Sequence, residues 1–212
     1  KIKICGITNL EDGLAAAQAG ADFIGFIFHP KSARYVTVAQ AHAVVAGVRR
    51  QYRANAPKSV GVFVNTPPAQ VRYVLYTAGL DYAQLHGDEG PEQLADQRGR
   101  GYKAVRPASL DEALDAAVRY AGLGPQGGPN LLLDAYHPGE YGGTGMRADW
   151  STAAKPCAAL AIAGGLTPQN VVEAITAVQP WGVDVSSGVE ASPGRKDHAK
   201  LRDFVHAALA VV

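Results

Sequence analysis

Lys1-Ile-Lys-Ile-Cys-Gly-Ile-Thr8 opens the chain and sets a pattern that the remainder repeats. Ile2 and Ile4 alternate with Lys1, Lys3 and Cys5, which is the period of a strand. Gly6 breaks the strand, and Thr8-Asn9 forms a cap-like pair ahead of a helical segment, Glu11–Ala19. Cys5 therefore stands at a strand's C-terminal end, on the face opposite the isoleucines. Two readings are open at that position. β/α proteins do their chemistry at the C-terminal ends of strands, where a thiol can serve as acid or base. Free cysteine is also among the most buried residue types, a small hydrophobe with no further task.

The same strand and helix rhythm runs to the end of the chain. Further strands are predicted over Phe23–Phe28, Ser59–Val64, Ala83–His86, Tyr102–Arg106, Asn130–Asp134, Leu160–Ala163 and Val183–Val185. Helices are predicted over Val38–Tyr52, Ala69–Ala78, Pro91–Gln97, Leu110–Tyr120, Pro168–Val178 and Asp197–Val211. A short sixth helix is expected near Ala148–Ala154, after the glycine-rich Gly139–Gly145. Ala41, Val44, Val45 and Val48 fall on one helical face. Asn9, Thr66, Ser109 and Thr167 are the candidate helix starts. Strands alternating with helices predict an α/β chain with a parallel sheet, and their number points to a single-domain (β/α)8 TIM barrel over residues 1–212. An open doubly wound sheet is the rival, but it calls for a glycine fingerprint after an early strand, and the clear glycine signals here come late.

Composition narrows the function. The 212 residues are 47% hydrophobic, enough for a sizeable core, and 20 basic against 19 acidic side chains leave a net charge of +1. No global field attracts nucleic acid or an anionic membrane, so neither is expected as a partner. Cys5 and Cys157 are the only cysteines, without disulfide or metal spacing, which fits a reducing cytoplasm. No signal peptide pattern or bilayer-length apolar run is present. The chain opens on Lys1 rather than methionine, so a few native residues are expected to precede it.

Several strand ends carry candidate chemistry. Strand seven runs into Gly164-Gly165-Leu-Thr-Pro-Gln-Asn, and strand eight into Asp184-Val-Ser186-Ser187-Gly188. Glycine lets backbone N–H groups approach an anion, and the loops after strands seven and eight often bind phosphate in such barrels. Asp134 ends Leu-Leu-Leu-Asp, where alternation turns Leu132 and Asp134 toward the barrel axis and Leu131 and Leu133 outward. It is either a functional carboxylate or a cap or turn former. With Cys5 it could hold an acid and a base on two sides of a small substrate. His86 either meets ligand or bonds a neighbouring loop. Arg34 either holds a carboxylate by its fork or is a solvated surface residue. Lys3 and Asp184 point inward on strands that barrel closure makes neighbours, so an ion pair between them is predicted on the site floor. Asp81, Asp88, Glu89 and Glu140 read as turn or surface residues, and no histidine shows metal-ligand spacing, so no metal is expected.

Taken in order, Lys3-Ile-Cys-Gly-Ile-Thr-Asn, Pro30-Lys-Ser-Ala-Arg-Tyr, Val60-Gly-Val-Phe-Val-Asn, Gln84-Leu-His-Gly, Leu132-Leu-Asp, Glu140-Tyr-Gly-Gly-Thr-Gly, Ala163-Gly-Gly-Leu-Thr-Pro-Gln-Asn-Val and Asp184-Val-Ser-Ser-Gly-Val-Glu span nearly the whole chain. In them the chain resembles the phosphoribosylanthranilate isomerase family. The resemblance implies a (β/α)8 barrel and an Amadori rearrangement of N-(5′-phosphoribosyl)anthranilate to 1-(2-carboxyphenylamino)-1-deoxyribulose 5-phosphate, the third step from chorismate to tryptophan. It implies Asp134 as general acid, Cys5 as general base and no cofactor, because the substrate's own iminium serves as electron sink. It places the anthranilate carboxylate near Arg34, and the phosphate at Gly164, Gly165, Ser186, Ser187 and Gly188. Family members are monomers or homodimers. The related histidine-pathway isomerases use aspartate at the end of strand one and a substrate with two phosphates, which Cys5 argues against. A catalytically silent phosphate-binding barrel would not need both Cys5 and Asp134.

Overall fold

The computed structural model describes residues 1–134 and 159–211. Eight strands close into a parallel barrel in chain order. They are β1 (Ile2–Ile4), β2 (Phe23–Ile27), β3 (Lys58–Phe63), β4 (Tyr82–Leu85), β5 (Gly101–Val105), β6 (Leu131–Leu133), β7 (Leu160–Ile162) and β8 (Gly182–Val185). Helices α1 (Leu10–Ala19), α2 (Val38–Tyr52), α3 (Pro68–Ala78), α4 (Pro91–Ala95) and α5 (Leu110–Tyr120) follow the first five strands. Helix α6 (Val171–Val178) follows β7, and α7 (His198–Leu209) closes the chain. A small antiparallel hairpin, β9 (Glu190–Ser192) with β10 (Arg195–Lys196), lies between β8 and α7. The expected short helix near Ala148–Ala154, the Gly139–Gly145 stretch, Glu140 and Cys157 lie outside the described residues.

Strand alternation builds two apolar layers. Ile2, Ile4, Ile24, Phe26, Leu131, Leu133, Val183 and Val185 face outward into a core shared with the helices. Phe23, Val60, Tyr102, Ala104, Leu132 and Ala161 face inward and fill the barrel. Phe23 carries Tyr82 and Trp181 against it, with ring centroids 6.3 and 5.9 Å away. β1 and β8 close the seam in a register that sets Lys3 opposite Asp184. Several strands end one residue short of expectation, yet the ladder runs on. Cys5 N–H donates to Val185 O, His86 N–H to Phe63 O and Asp134 N–H to Val105 O, at 2.8, 2.8 and 2.9 Å. The side chains at the barrel mouth thus sit on a bonded backbone.

Helix caps follow the sequence in two cases and depart from it in two. Asn9 and Ser109 accept from Asp12 N–H and Glu112 N–H, as read from their positions. Thr66 does not cap α3: Pro67 occupies the cap position, and the Thr66 hydroxyl turns back to Val64 O. Helix α6 begins at Val171 rather than Pro168, because residues 168–170 form a turn. Asn170 holds that turn, its Oδ1 accepting from Thr167 N–H at 2.7 Å and its Nδ2 donating to Gly165 O at 2.9 Å.

The fully buried Phe26 packs on the outer layer and contributes nothing to the barrel mouth. Phe26→Ala should lower unfolding free energy by about 3–5 kcal/mol, the usual cost of such a cavity. Urea denaturation measures it, and a loss below about 1 kcal/mol would contradict this packing.

Candidate active site

Lys3 and Cys5 project inward because Ile2 and Ile4 take the outer face of β1. Lys3 Nζ donates to Asp184 Oδ2 at 2.7 Å and to Gln84 Oε1 at 3.0 Å, so the predicted ion pair is present. Lys3 is 5% exposed and Asp184 7%. Burial opposes the Lys3 ammonium, but Asp184, then Cys5 and Tyr102, outweigh it and raise its pKa. Burial likewise pushes the Asp184 carboxyl up against the pull of Lys3, with Asp134 adding to the rise. Asp184 Oδ1 has no hydrogen-bond partner among the described residues.

The buried Cys5 thiol fits beside Lys3 because β2 carries glycine next to it. A Cβ on Gly25 would come within 2.8 Å of Cys5 Sγ and 3.1 Å of Lys3 Cε. Two effects compete at the thiol. Burial raises its pKa, Lys3 and to a lesser degree Lys196 favour the thiolate, and Asp184 adds to the rise. Burial wins, and the pKa lies above that of an ordinary thiol.

From Gln84 the network continues across the barrel. Gln84, 1% exposed, accepts at Oε1 from Tyr102 OH at 2.8 Å as well as from Lys3. Its Nε2 lies 3.0 Å from His86 Nδ1. His86 Nε2 in turn stands 3.3 Å from Asp134 Oδ2, both side chains being buried. That nitrogen is within reach of the carboxylate without the alignment of a formed hydrogen bond. One buried chain of polar groups thus joins β8, β1, β4 and β6: Asp184, Lys3, Gln84, His86 and Asp134. Among the described residues His86 bonds no neighbouring loop through its ring; its two nitrogens face Gln84 and Asp134.

Arg34 is not a solvated surface residue. Its Nε and Nη2 donate to the two carboxylate oxygens of Glu190 at 2.8 and 2.7 Å. The fork expected for a ligand is therefore taken by Glu190, and the outer Nη1–Nη2 edge is what remains for a second carboxylate. Lys196 Nζ donates to Glu190 Oε1 and to Ser186 O, both at 3.0 Å. Hydrogen bonding to Arg34, then Lys196, overcomes burial and lowers the Glu190 pKa. The hairpin after β8 thereby ties the loop after β2 to the loop after β8.

The two glycine loops meet at the mouth of β7 and β8. Gly164 and Gly165 both take left-handed φ, at 94° and 64°, which favours glycine. Gly188 comes so close to Leu166 O that any side chain there would collide with it. Ser186 Oγ is buried and has no hydrogen-bond partner among the described residues. Such a hydroxyl, beside two tight backbone turns, suits an anion acceptor of several hydrogen bonds.

The structure brings Lys3, Asp184, His86 and Asp134 onto one network, with Cys5 beside it. Sequence reading missed Gln84, Tyr102, Gly25, Glu190 and Lys196. Gln84 was findable: it shares His86's inward face, two residues away on an otherwise apolar strand. Glu190 closes the Asp184–Glu190 motif but nothing local pairs it with Arg34, and Lys196 shows no local signal. Glu89 is corrected from a turn or surface residue to a buried one, paired with Lys103 at 2.8 Å and accepting from Asn65 and Gly87 N–H groups. No three His, Cys, Asp or Glu side chains among the described residues are placed to hold a metal, and no described helix is long and apolar enough to cross a membrane.

Comparison with known proteins gives a consistent picture. The family model for N-(5′-phosphoribosyl)anthranilate (PRA) isomerase matches residues 2–207. The N-(5′-phosphoribosyl)anthranilate isomerase of Geobacter sulfurreducens is 46% identical over 210 residues, covering 98% of each chain. The crystal structure of phosphoribosyl anthranilate isomerase from Thermotoga maritima superposes with a TM-score of 0.86 at 37% identity, covering 99% of this chain and 98% of that one. A structure of phosphoribosyl anthranilate isomerase in complex with reduced 1-(o-carboxyphenylamino)-1-deoxyribulose 5-phosphate matches with a TM-score of 0.83 at 36% identity, again over 99% and 98%.

The competition at Cys5 has a measurable sign. Only the thiolate is alkylated, so burial should hold Cys5 less reactive than a free thiol near neutral pH. The rate of iodoacetamide modification, read on the Cys5 peptide by mass spectrometry, should rise with a midpoint above about 8.5. A midpoint below that value would mean the cations win.

Proposed function

The chain belongs to the N-(5′-phosphoribosyl)anthranilate isomerase family, and on that premise we propose that Cys5 and Asp134 divide the proton transfers of its reaction. The enzyme isomerises N-(5′-phosphoribosyl)anthranilate to the aminoketose, 1-(2-carboxyphenylamino)-1-deoxyribulose 5-phosphate, in tryptophan biosynthesis. The observation that carries the assignment is the buried network joining the two ends of the site. It starts beside the Cys5 thiol at the mouth of β1 and ends at the Asp134 carboxyl at the mouth of β6.

Asp134 enters protonated and gives its proton to the ribose ring oxygen. The C1′–O bond breaks as the nitrogen lone pair forms the iminium. The Cys5 thiolate then removes the C2′ proton, and the C–H electrons neutralise the iminium as an enolamine, which tautomerises to the ketone. No cofactor has a part in these steps. Lys3 and Asp184 form the floor, with Asp184 Oδ1 available to accept from a sugar hydroxyl. The substrate phosphate is assigned to the turns at Gly164 and Gly165 and to Ser186, Ser187 and Gly188. The buried Ser186 hydroxyl supports this. The anthranilate carboxylate is assigned to the outer edge of Arg34. His86, proposed from sequence as a substrate contact, is better supported as a neighbour of Asp134.

The small phosphorylated substrate is the proposed partner, with the protein itself a monomer or homodimer. The cytoplasm is the proposed compartment, supported by the need to keep Cys5 a thiol.

Cys5→Ser and Asp134→Asn should each lower kcat/KM on N-(5′-phosphoribosyl)anthranilate by about 10²–10⁴-fold with folding intact by circular dichroism. Ser186→Ala should act chiefly on KM. A folded Asp134→Asn enzyme with near-normal turnover would remove the acid assignment.

A further inference from the structure

We infer that Gln84 is a positioning residue that assigns the proton of neutral His86 to Nε2, so that His86 cannot take the Asp134 proton and instead stabilises the carboxylate left when Asp134 protonates the substrate. This rests on the reading of Asp134 as the general acid.

The assignment follows from donors and acceptors. An ammonium can only donate, so the Gln84 atom 3.0 Å from Lys3 Nζ is the amide oxygen. Tyr102 OH, 2.8 Å from the same atom, gives it a second donor. The opposite end of the amide is then nitrogen, which can only donate, and it lies 3.0 Å from His86 Nδ1. Nδ1 accepts, and a neutral imidazole must carry its hydrogen on Nε2. That N–H stands 3.3 Å from Asp134 Oδ2. Because Asp184 holds Lys3 as an ammonium at 2.7 Å, the amide has no reason to flip.

The consequence differs between the two states of Asp134. With Asp134 protonated, Nε2–H offers it no lone pair, so the acid proton is not drawn to the ring and stays available to the substrate. Once the proton has moved to the ring oxygen, the new carboxylate accepts from Nε2–H. No proton leaves His86 at either stage. An interaction that strengthens as charge develops lowers the barrier rather than only tightening binding. The opposite tautomer would accept from Asp134 and compete with the substrate for its proton.

Two measurements test this. Long-range ¹H–¹⁵N correlation of the uniformly labelled protein, with His86 identified among the six histidines by the resonances lost in His86→Ala, should show His86 neutral with hydrogen on Nε2. Gln84→Glu, which can only accept, should move the hydrogen to Nδ1. Gln84→Met should lower kcat about tenfold to a hundredfold, the rate equivalent of one hydrogen bond to a charged group, with little change in KM. In a His86→Ala background the same substitution should cost clearly less, only what the lost bonds from Lys3 and Tyr102 carry. Hydrogen on Nδ1 in the wild type overturns the inference, whether or not the variants fold. So does an equal loss from Gln84→Met with and without His86. A fully active Asp134→Asn enzyme would instead remove the acid assignment and leave the tautomer result standing.

Discussion

The Lys3–Asp184 ion pair is the interaction on which the barrel interior depends. Two charges buried this deeply are tolerated only if each is the other's partner, and losing one member of such a pair costs about 3–5 kcal/mol. The pair spans the seam where the first strand meets the last, so it forms only when the barrel closes in register. Sliding β1 by one residue would turn Lys3 into the apolar outer layer and Ile4 inward. Closure also leaves the ammonium with spare donors, and one of them orients the Gln84 amide. The polarity of the whole network, out to His86, is inherited from that one charge.

Much of this was legible in the sequence because it is local. Alternation in Lys1–Cys5 and Leu131–Asp134 decides which side chains face inward, and both readings hold in the structure. The Lys3–Asp184 pair was readable too, because closure of eight parallel strands leaves β1 no neighbour beyond β2 except β8. What escaped was long-range pairing with no periodic signature. Arg34 finds Glu190 across 156 positions, through a hairpin whose strands are too short to announce themselves. Glu89 looked like a turn residue because it sits in Gly87-Asp-Glu-Gly90; only the approach of β5 supplies Lys103 and buries it. Thr66 and Thr167 satisfied the cap pattern, but Pro67 takes the cap position of α3 and a turn over residues 168–170 precedes α6.

On the proposed assignment Cys5 acts as a base, and its electrostatics set how strong a base it is. A thiol whose pKa is raised by burial is less often a thiolate near neutrality, which costs a base as it would cost a nucleophile. The compensation is that a more basic thiolate pulls harder on a C–H bond, so transfer is best when the base is neither too strong to be deprotonated nor too weak to act. Lys3 and Lys196 limit how far burial can push the thiol. Gly25 permits that arrangement by letting thiol and ammonium share the space a side chain on β2 would fill.

On the proposed assignment, the charge of the site stays constant while its location changes. The reaction begins with a Cys5 thiolate, a protonated Asp134 and a neutral aminal carbon. After ring opening the thiolate and the new Asp134 carboxylate flank a cationic iminium. After proton abstraction Cys5 is neutral, the substrate is neutral, and the negative charge rests on Asp134. One unit of negative charge has crossed from the β1 side of the barrel to the β6 side. The fixed groups between them match that path: the Lys3 ammonium favours the charge at its starting point, and the His86 N–H receives it at its end. Since Lys3 and Asp184 together are neutral, neither terminus is stabilised so strongly that the charge is trapped there. A low-dielectric interior makes such balance necessary, because an uncompensated charge at either end would cost more than the chemistry gains.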